Sequence, residues 1–437
     1  MGRVLQARTN SLNQNEPGGA AMGEFKMMVP AKLLALLSAI VVLGTPVAHA
    51  QYAAKDWPEG PSKQRFVDTC NGCHDINRVR GGYTPEGWLT VVRMMQNMQA
   101  PVPAEEWGAL TDYLMKNFPE RKRPEAVIID GPVKVDFKMW DVPTQGARPH
   151  DPLGARDGSV WWAAQLANKL GRIDPRTGAI REYTLKSPFT GPHGLVDDKD
   201  GNIWFTGNLA GLIGKLDPKT GIVTEYPLPD PNAKDPHTLN FDQKGILWFT
   251  VQQANMVGRL DPATGAIKLV TSPTPKSRPY GIQINAKGVP VFVEFGANKI
   301  ATIDPDTMAI KEYTLPDAAA RPRRLAIGPD GAVWYADFAR GYIGKLDFAT
   351  GAVKEWPSPS GPKSEPYGMV FTKGAVWYNE SNAKPNTIVR FDPATEKFQS
   401  WAIPGGGDIV RNMVVAPSGN PVMANSLVNQ VGIVEVK

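Results

Sequence analysis

GPHGLVDDKDGNIWFTGNLAGLIGKLDPKTGIVTEYPLP, residues 191–229, spells out one complete structural unit. A short apolar strand follows Pro192-His193, Asp200-Gly201 makes a turn, and Ile203-Trp204-Phe205 starts an aromatic second strand. A third strand runs into Asp217-Pro218-Lys219-Thr220-Gly221, and a fourth ends at Glu225-Tyr226. Asp then Pro suits a type I turn, and the Gly that follows suits a left-handed position. The unit therefore reads as a four-stranded antiparallel meander.

The unit recurs. Pro149-His150, Pro192-His193, Pro236-His237, Pro279-Tyr280, Pro322-Arg323 and Pro366-Tyr367 follow one another every 43 or 44 residues, and Arg411 continues the series without its proline. Aromatic strands keep the same step at Trp161-Trp162, Trp204-Phe205, Trp248-Phe249, Trp334-Tyr335 and Trp377-Tyr378. Four strands in a period of this length mark a propeller blade, and the ring positions predict seven of them over 133–437. The last unit has room for only three strands before Lys437, so Val133 to Pro143 is expected to supply its outer strand. Closure of that kind removes an open sheet edge. A solenoid would instead need capping repeats with polar outer faces, and the sequence offers none.

The N-terminal part reads differently. Leu33 to Gly44 is a short apolar run preceded by Lys26 and Lys32 and followed by Ala48-His49-Ala50, which predicts an export leader over 1–50, with Met27 or Met28 as its start. The run is too short for a comfortable bilayer span, so no stable membrane segment is expected after processing, and the protein is expected in the periplasm. The only two cysteines stand in Cys70-Asn71-Gly72-Cys73-His74, the spacing of covalent c-type haem attachment. Two thiols on one helical turn meet the two vinyl groups, and the adjacent His74 serves as proximal iron ligand.

Around this motif, 51–120 reads as a small all-α module. Ser62 is placed to cap a helix carrying Phe66 and Val67. Thr84-Pro85-Glu86 opens a second helix, with Trp88, Val91, Val92 and Met95 on one face, and Pro103 with Glu105 and Glu106 opens a third. The segment resembles the single-haem cytochrome c family, and its part from Trp88 to Phe118 is similar to a subgroup with a Trp-bearing helix and a Met about two turns on. That resemblance makes Met95 the expected sixth iron ligand, with Met94 and Met98 as rivals. The charged, Pro-containing stretch from Glu120 to Pro124 begins an expected linker over 121–132.

Blade phrases such as Gly191-Pro192-His193-Gly194-Leu195, Asn202-Ile203-Trp204-Phe205-Thr206 and Asn298-Lys299-Ile300 closely resemble the streptogramin (virginiamycin B) lyase family across 133–437. The resemblance implies a seven-bladed propeller that opens a cyclic lactone by elimination, using histidines and a magnesium ion held by glutamates at one mouth. Glu365 and Glu380 stand where those glutamates are expected. The family's two histidines fall on Tyr367 and Arg323, a departure that implies weak or no cleavage of streptogramins.

The ring positions themselves divide into two halves. His150, His193 and His237 occupy adjacent blades, and Tyr280, Arg323, Tyr367 and Arg411 occupy the rest. A second ring is expected at Ala164, Gly207, Val251, Glu294, Asp337, Glu380 and Asn425. His150, His193, His237, Tyr367 and Arg323 are the candidate catalytic residues. Three imidazoles suit a transition metal, a substrate or hydrogen bonds in a wet channel, whereas Glu365 and Glu380 suit magnesium or calcium. The arginines suit an anionic small molecule. A net charge of +5 with no basic block gives no reason to expect nucleic acid. Two function classes follow. One is a periplasmic redox protein whose propeller binds a substrate or a redox partner protein while the haem transfers electrons. The other is a C–O lyase or hydrolase with an accessory haem module, and a propeller that binds without turnover is the plain third reading.

Overall fold

The computed structural model describes residues 56–72 and 74–437. The leader and Cys73 lie outside the described residues.

Three α-helices come first: α1 (Lys63–Cys70), α2 (Pro85–Asn97) and α3 (Trp107–Asn117). Thr84 caps α2 by accepting from Gly87 N at 3.1 Å, and Pro85 fills the first position, where no N–H is needed. Ser62 precedes α1 as foreseen, but its hydroxyl makes no capping bond. The stretch Ala104–Glu106 is a separate 3₁₀ turn, so α3 begins only at Trp107. The helices enclose a cluster of Trp57, Phe66, Ile76, Trp88, Leu110, Tyr113, Leu114 and Phe118. Trp88 Nε1 donates to Phe118 O at 2.8 Å and Tyr113 OH to Pro58 O at 2.7 Å, which satisfies both of these polar tips.

Seven four-stranded antiparallel sheets follow, each running inner strand to outer strand in chain order except the last. Blades 1 to 6 start their inner strands at Pro149, Pro192, Pro236, Pro279, Pro322 and Pro366, and blade 7 at Val410. The last sheet takes its outer strand from β1 (Val135–Asp141), which pairs with the chain-terminal strand Gln430–Val436 from Val135↔Val436 to Asp141↔Gln430. The strand foreseen over 133–143 thus closes the ring, and Val135, Phe137 and Met139 pack on the blade 6–7 cluster that includes Val434 and Trp377.

Two local rules repeat. In the Asp-Pro-x-Thr-Gly turns, Gly178, Gly221 and Gly265 have φ of 75°, 76° and 73°, and each donates its N–H to the Asp carbonyl at 2.8 Å. Inside the blades, a glycine on the third strand faces the aromatic of the second. A Cβ at Gly171 would lie 1.9 Å from Trp162, and one at Gly214 2.0 Å from Phe205. Those glycines are small because the ring needs the space.

Residues 121–132 do not hang free. Ala126 N donates to Lys384 O at 3.2 Å, Ile129 N donates to Ser400 Oγ at 2.8 Å, and Ile129 O accepts from Ser400 N at 3.0 Å. Arg123 bridges Glu120 and Asp408, both at 2.8 Å. The expected linker is a strap bound along blade 6.

The closing strand gives a direct test. A chain of residues 131–437 is expected to unfold at a clearly higher temperature than one of 145–437, because only the first pairs the edge of blade 7. Equal melting temperatures would show that β1 contributes nothing to closure.

Candidate active site at the propeller mouth

Every inner strand breaks register just after its first residue: between Pro149 and Pro152, Pro192 and Leu195, Pro236 and Leu239, and likewise in the other four blades. A regular strand sends successive residues to opposite faces. These bulges re-aim two neighbours instead. The first of the two forms the predicted ring, and the second forms a layer that the sequence reading missed.

In the ring, the imidazoles of His150 and His193 pack in a tilted arrangement with centroids 3.8 Å apart, His193 and His237 at 3.9 Å, and His237 and Tyr280 at 3.8 Å. Tyr280 and Tyr367 share a 2.5 Å hydrogen bond between their hydroxyls. Arg323 lies over Tyr367 at 3.7 Å and over Phe338 at 4.2 Å. The five candidates His150, His193, His237, Arg323 and Tyr367 therefore form one connected group.

The second layer reads Asp151, Gly194, Thr238, Gly281, Arg324, Gly368 and Asn412 around the ring. Arg324 donates to both oxygens of Asp151, at 3.0 and 3.2 Å, and to Thr238 Oγ1 at 2.8 Å. Asn412 adds a bond to Asp151 at 3.0 Å. Asp151 is 1% exposed and Arg324 3%, so this ion pair spans the channel out of water. The three glycines leave it room: a Cβ at Gly281 would sit 3.3 Å from the Arg324 Cα. Charged residues where neighbouring blades carry glycine were the available sequence signal.

The two layers are coupled. His150 Nδ1 donates to Asp151 at 2.9 Å, which leaves its Nε2 as the acceptor. His193 Nδ1 stops 3.8 Å from the same oxygen and has no hydrogen-bond partner. All three imidazoles are held neutral, their pKa values driven well below the usual range, first by burial and then by neighbouring imidazoles and arginines. Burial pushes the Asp151 carboxyl up to about 6 against the pull of Arg324. Tyr367 goes the other way. Burial opposes its ionisation, but Arg323, Arg411, Arg324 and the bond from Tyr280 outweigh that and make it more acidic than usual, while Tyr280 is made less acidic, chiefly by burial. The shared proton belongs to Tyr280, and Tyr367 is the ionisable phenol.

The two candidate metal sets fare differently. His150, Asp151 and His193 present ligand atoms within 4.8 Å of one another, a two-imidazole, one-carboxylate set of transition-metal type. Asp151, however, is already committed to Arg324 and Asn412. Glu365 lines the mouth cavity, whereas Glu380 is committed to partners of its own. Glu380 ends a second strand, 0% exposed, and accepts from Ser358 Oγ at 2.6 Å, Ser360 N at 2.8 Å and Thr387 Oγ1 at 2.7 Å. Glu294 and Asp337 hold equivalent buried positions, bound to Ser277 at 3.0 Å and to Arg321 N at 2.9 Å. The expected second ring is thus corrected: its acids tie blade ends together, because that strand lies one place out from the channel.

The helical module sits over this mouth. Asn97 Nδ2 donates to Gln145 O at 3.0 Å and Gly146 O at 3.1 Å, and Met94 is buried with Leu166 and Leu427. Gly146, at φ 67°, lets α2 approach, since a Cβ there would lie 2.7 Å from Arg93. Met95 and Met98 flank the same cluster, partly buried. His74 is half-buried, donates Nδ1–H to Asp75 O at 3.2 Å, and lies within the field of Arg148. A cavity of about 250 Å³ opens between Gly82 and Tyr83 of the module and Arg323, Glu365, Tyr367 and Arg411 of the propeller.

Among known proteins, the family described as the Virginiamycin B lyase family matches residues 128–436. A streptogramin B lyase structure is 27% identical with a TM-score of 0.63, covering 69% of this chain and 98% of that one. A catalytically inactive virginiamycin B lyase from Staphylococcus aureus, solved with quinupristin, is 24% identical with a TM-score of 0.64, covering 69% and 99%. Hydrazine synthase of Kuenenia stuttgartiensis shares the fold at 14% identity and a TM-score of 0.56, covering 66% and 96%. No curated protein sequence matches the chain.

The buried imidazoles fix a pH dependence. Unfolded histidine gains its proton near 6.5 and these three do not, so stability falls as pH drops through that value. Asp151 acts in the opposite sense between 3.8 and about 6 but supplies one proton against three. Going from about pH 7 to about pH 5 is expected to cost a few kcal/mol, and His193→Gln should flatten that slope by about half, because it removes one of a net two protons. Denaturant titration at several pH values measures both.

Proposed function

The chain belongs to the virginiamycin B lyase family, and from that premise we propose that this member is a periplasmic c-type haem protein. In it the lyase-like propeller binds a small molecule and the haem exchanges electrons with it. The observation that carries the reading is the cavity of about 250 Å³, which has Gly82 and Tyr83 of the haem-motif module on one side and Tyr367, Arg323 and Arg411 on the other.

The residues present fit a haem. Cys70 ends α1 beside the aromatic cluster. His74 spends Nδ1 on a backbone carbonyl, the bond that typically orients a metal-ligating imidazole and leaves Nε2 for the iron. Cys70 and Cys73 are the proposed thioether residues, His74 one axial ligand, and Met95 the other, with Met94 and Met98 as alternatives. Of the three, Met94 is turned into the contact with Leu166 and Leu427, which favours the partly buried pair. When bound, the haem supplies one-electron transfer.

The propeller residues do the rest. Arg323 and Arg411 orient the bound molecule at the mouth. Tyr367, made acidic by the surrounding arginines, takes a proton from it, and Tyr280 donates its own hydroxyl hydrogen to steady the phenolate. His150, held with Nε2 free, is a second acceptor. The module covers the mouth and keeps water from it.

Family membership supports a second reading, elimination of the lyase type, in which Tyr367 would serve as base where the resemblance places a histidine. Both readings yield tests. Protein from a host competent in haem attachment should keep its haem through acid extraction, and Cys70→Ser should reduce attachment; a wild-type chain free of covalent haem would sink the redox reading. Tyr367→Phe should slow anaerobic haem reduction by a bound reductant at least about tenfold without altering haem content. Streptogramin B antibiotics should be cleaved weakly or not at all, and rapid magnesium-dependent ring opening would promote the lyase reading.

A further inference from the structure

Three arginines at the mouth lack a carboxylate partner among the described residues. Arg148 makes no side-chain hydrogen bond or ion pair, and burial with Arg411 beside it lowers its pKa to about 9. Arg411 spends only Nε, on Ser426 Oγ at 3.0 Å. Ser426 in turn donates to Pro149 O at 2.8 Å, so the guanidinium is aimed while its two terminal nitrogens stay unbonded. Arg323 rests on aromatic faces, and Tyr280, Tyr367 and Glu365 favour its charge.

The facing acids do not cancel this charge. Glu120, Glu365 and Asp408 line the cavity. Arg123 holds Glu120 and Asp408, and Lys384 also pairs with Glu120. That leaves Glu365, pushed towards its neutral form by burial, against Arg121, Arg323 and Arg411 on the cavity wall and Arg148 beside them. The same positive field helps to keep the three imidazoles neutral, and it opposes entry of a dication. Anions gain where cations lose: a carboxylate meets two guanidinium groups with parallel N–H donors. Tyr83, Phe338, Tyr367 and Ile409 supply aromatic and apolar wall, with Ser381 and Asn382 beside them.

We propose that this cavity binds a small organic carboxylate with an apolar body about one ring in size, its carboxylate held by Arg411 and Arg323, with Arg148 adding to the positive field behind them, and its body against Tyr83, Phe338 and Ile409. The proposal names the substrate class of the site described above and rests on that reading of the cavity.

Calorimetry on the full-length, haem-loaded protein tests it with three probes: benzoate, benzamide and inorganic phosphate. Benzoate should bind one per chain, at least about tenfold tighter than either of the others. Arg411→Gln and Arg323→Gln should each weaken benzoate at least about fivefold. Arg390→Gln, whose partner Asp392 is on the same third strand of blade 6, should leave it unchanged. The benzoate–benzamide comparison needs no variant, so it stands even if a substitution disturbs folding. Equal binding of benzamide, phosphate as tight as benzoate, or full affinity in both arginine variants would each overturn the proposal. Haem reduction plays no part in this readout. Benzoate binding beside a redox-silent haem would uphold the carboxylate site and refute only electron transfer, and a redox-active haem in a protein that ignores benzoate would do the reverse.

Discussion

The pair that the mouth depends on is Asp151 with Arg324, joined across the channel from blade 1 to blade 5. Taking both charges out of water costs several kcal/mol per ion, and the attraction repays this only with good geometry and further hydrogen bonds. Both conditions hold. Arg324 grips two oxygens of Asp151 and the Thr238 hydroxyl, and Asn412 supplies another donor. Four blades are thereby fixed relative to one another by side chains alone. The bonds run on into the ring, since Asp151 sets the tautomer of His150 and Thr238 bonds His237 Nδ1 at 3.0 Å. The chemistry at the mouth is therefore pre-oriented from below.

One electrostatic cause lies behind several of the shifts. Arg148, Arg324 and Arg411 contribute to keeping His193 neutral, while Arg323, Arg324 and Arg411 acidify Tyr367. A cluster of guanidinium groups in which only Arg324 has a carboxylate partner is expensive to hold in a folded protein. Blade packing tolerates it here because three glycines in the second layer leave space and because strong aromatic contacts, Arg323 on Tyr367 above all, spread the charge over ring faces. Uneven polar residues at equivalent blade positions are what the resulting asymmetry looks like in sequence.

Much of this was legible in the chain. The 43- or 44-residue step, the Asp-Pro-x-Thr-Gly turns and the missing fourth strand of the last unit led to seven blades and to the closing strand, because each rests on local turn chemistry or on counting. The ring His150 to Arg411 followed from the same step. Two things were not legible. The register break after each Pro is a property of paired strands, so Asp151 and Arg324 looked like ordinary alternating residues rather than channel residues. And the acids at Glu294, Asp337 and Glu380 repeat on schedule, but the groups that bind them, the Ser277, Ser358 and Thr387 hydroxyls and the Arg321 N–H, arrive from other strands and loops. Spacing locates a position; only pairing tells which way its side chain looks.

The strap and the helical module give the mouth its environment. Gly146 permits α2 to come close enough for Asn97 to bond the backbone of Gln145, and Arg123 anchors the strap to Asp408 at the rim of blade 7. Neither contact touches the ring, yet both hold Gly82 and Tyr83 over Tyr367 and Arg411. The consequence is energetic. An open propeller mouth would bathe those arginines in solvent and ions, where a guanidinium adds about 1 kcal/mol or less to a contact, and a phenol beside them would titrate near its ordinary value. Covered, the same groups act through a poorly screened medium and can set the protonation of whatever they bind. The N-terminal module thus changes the chemistry of the propeller simply by where it sits.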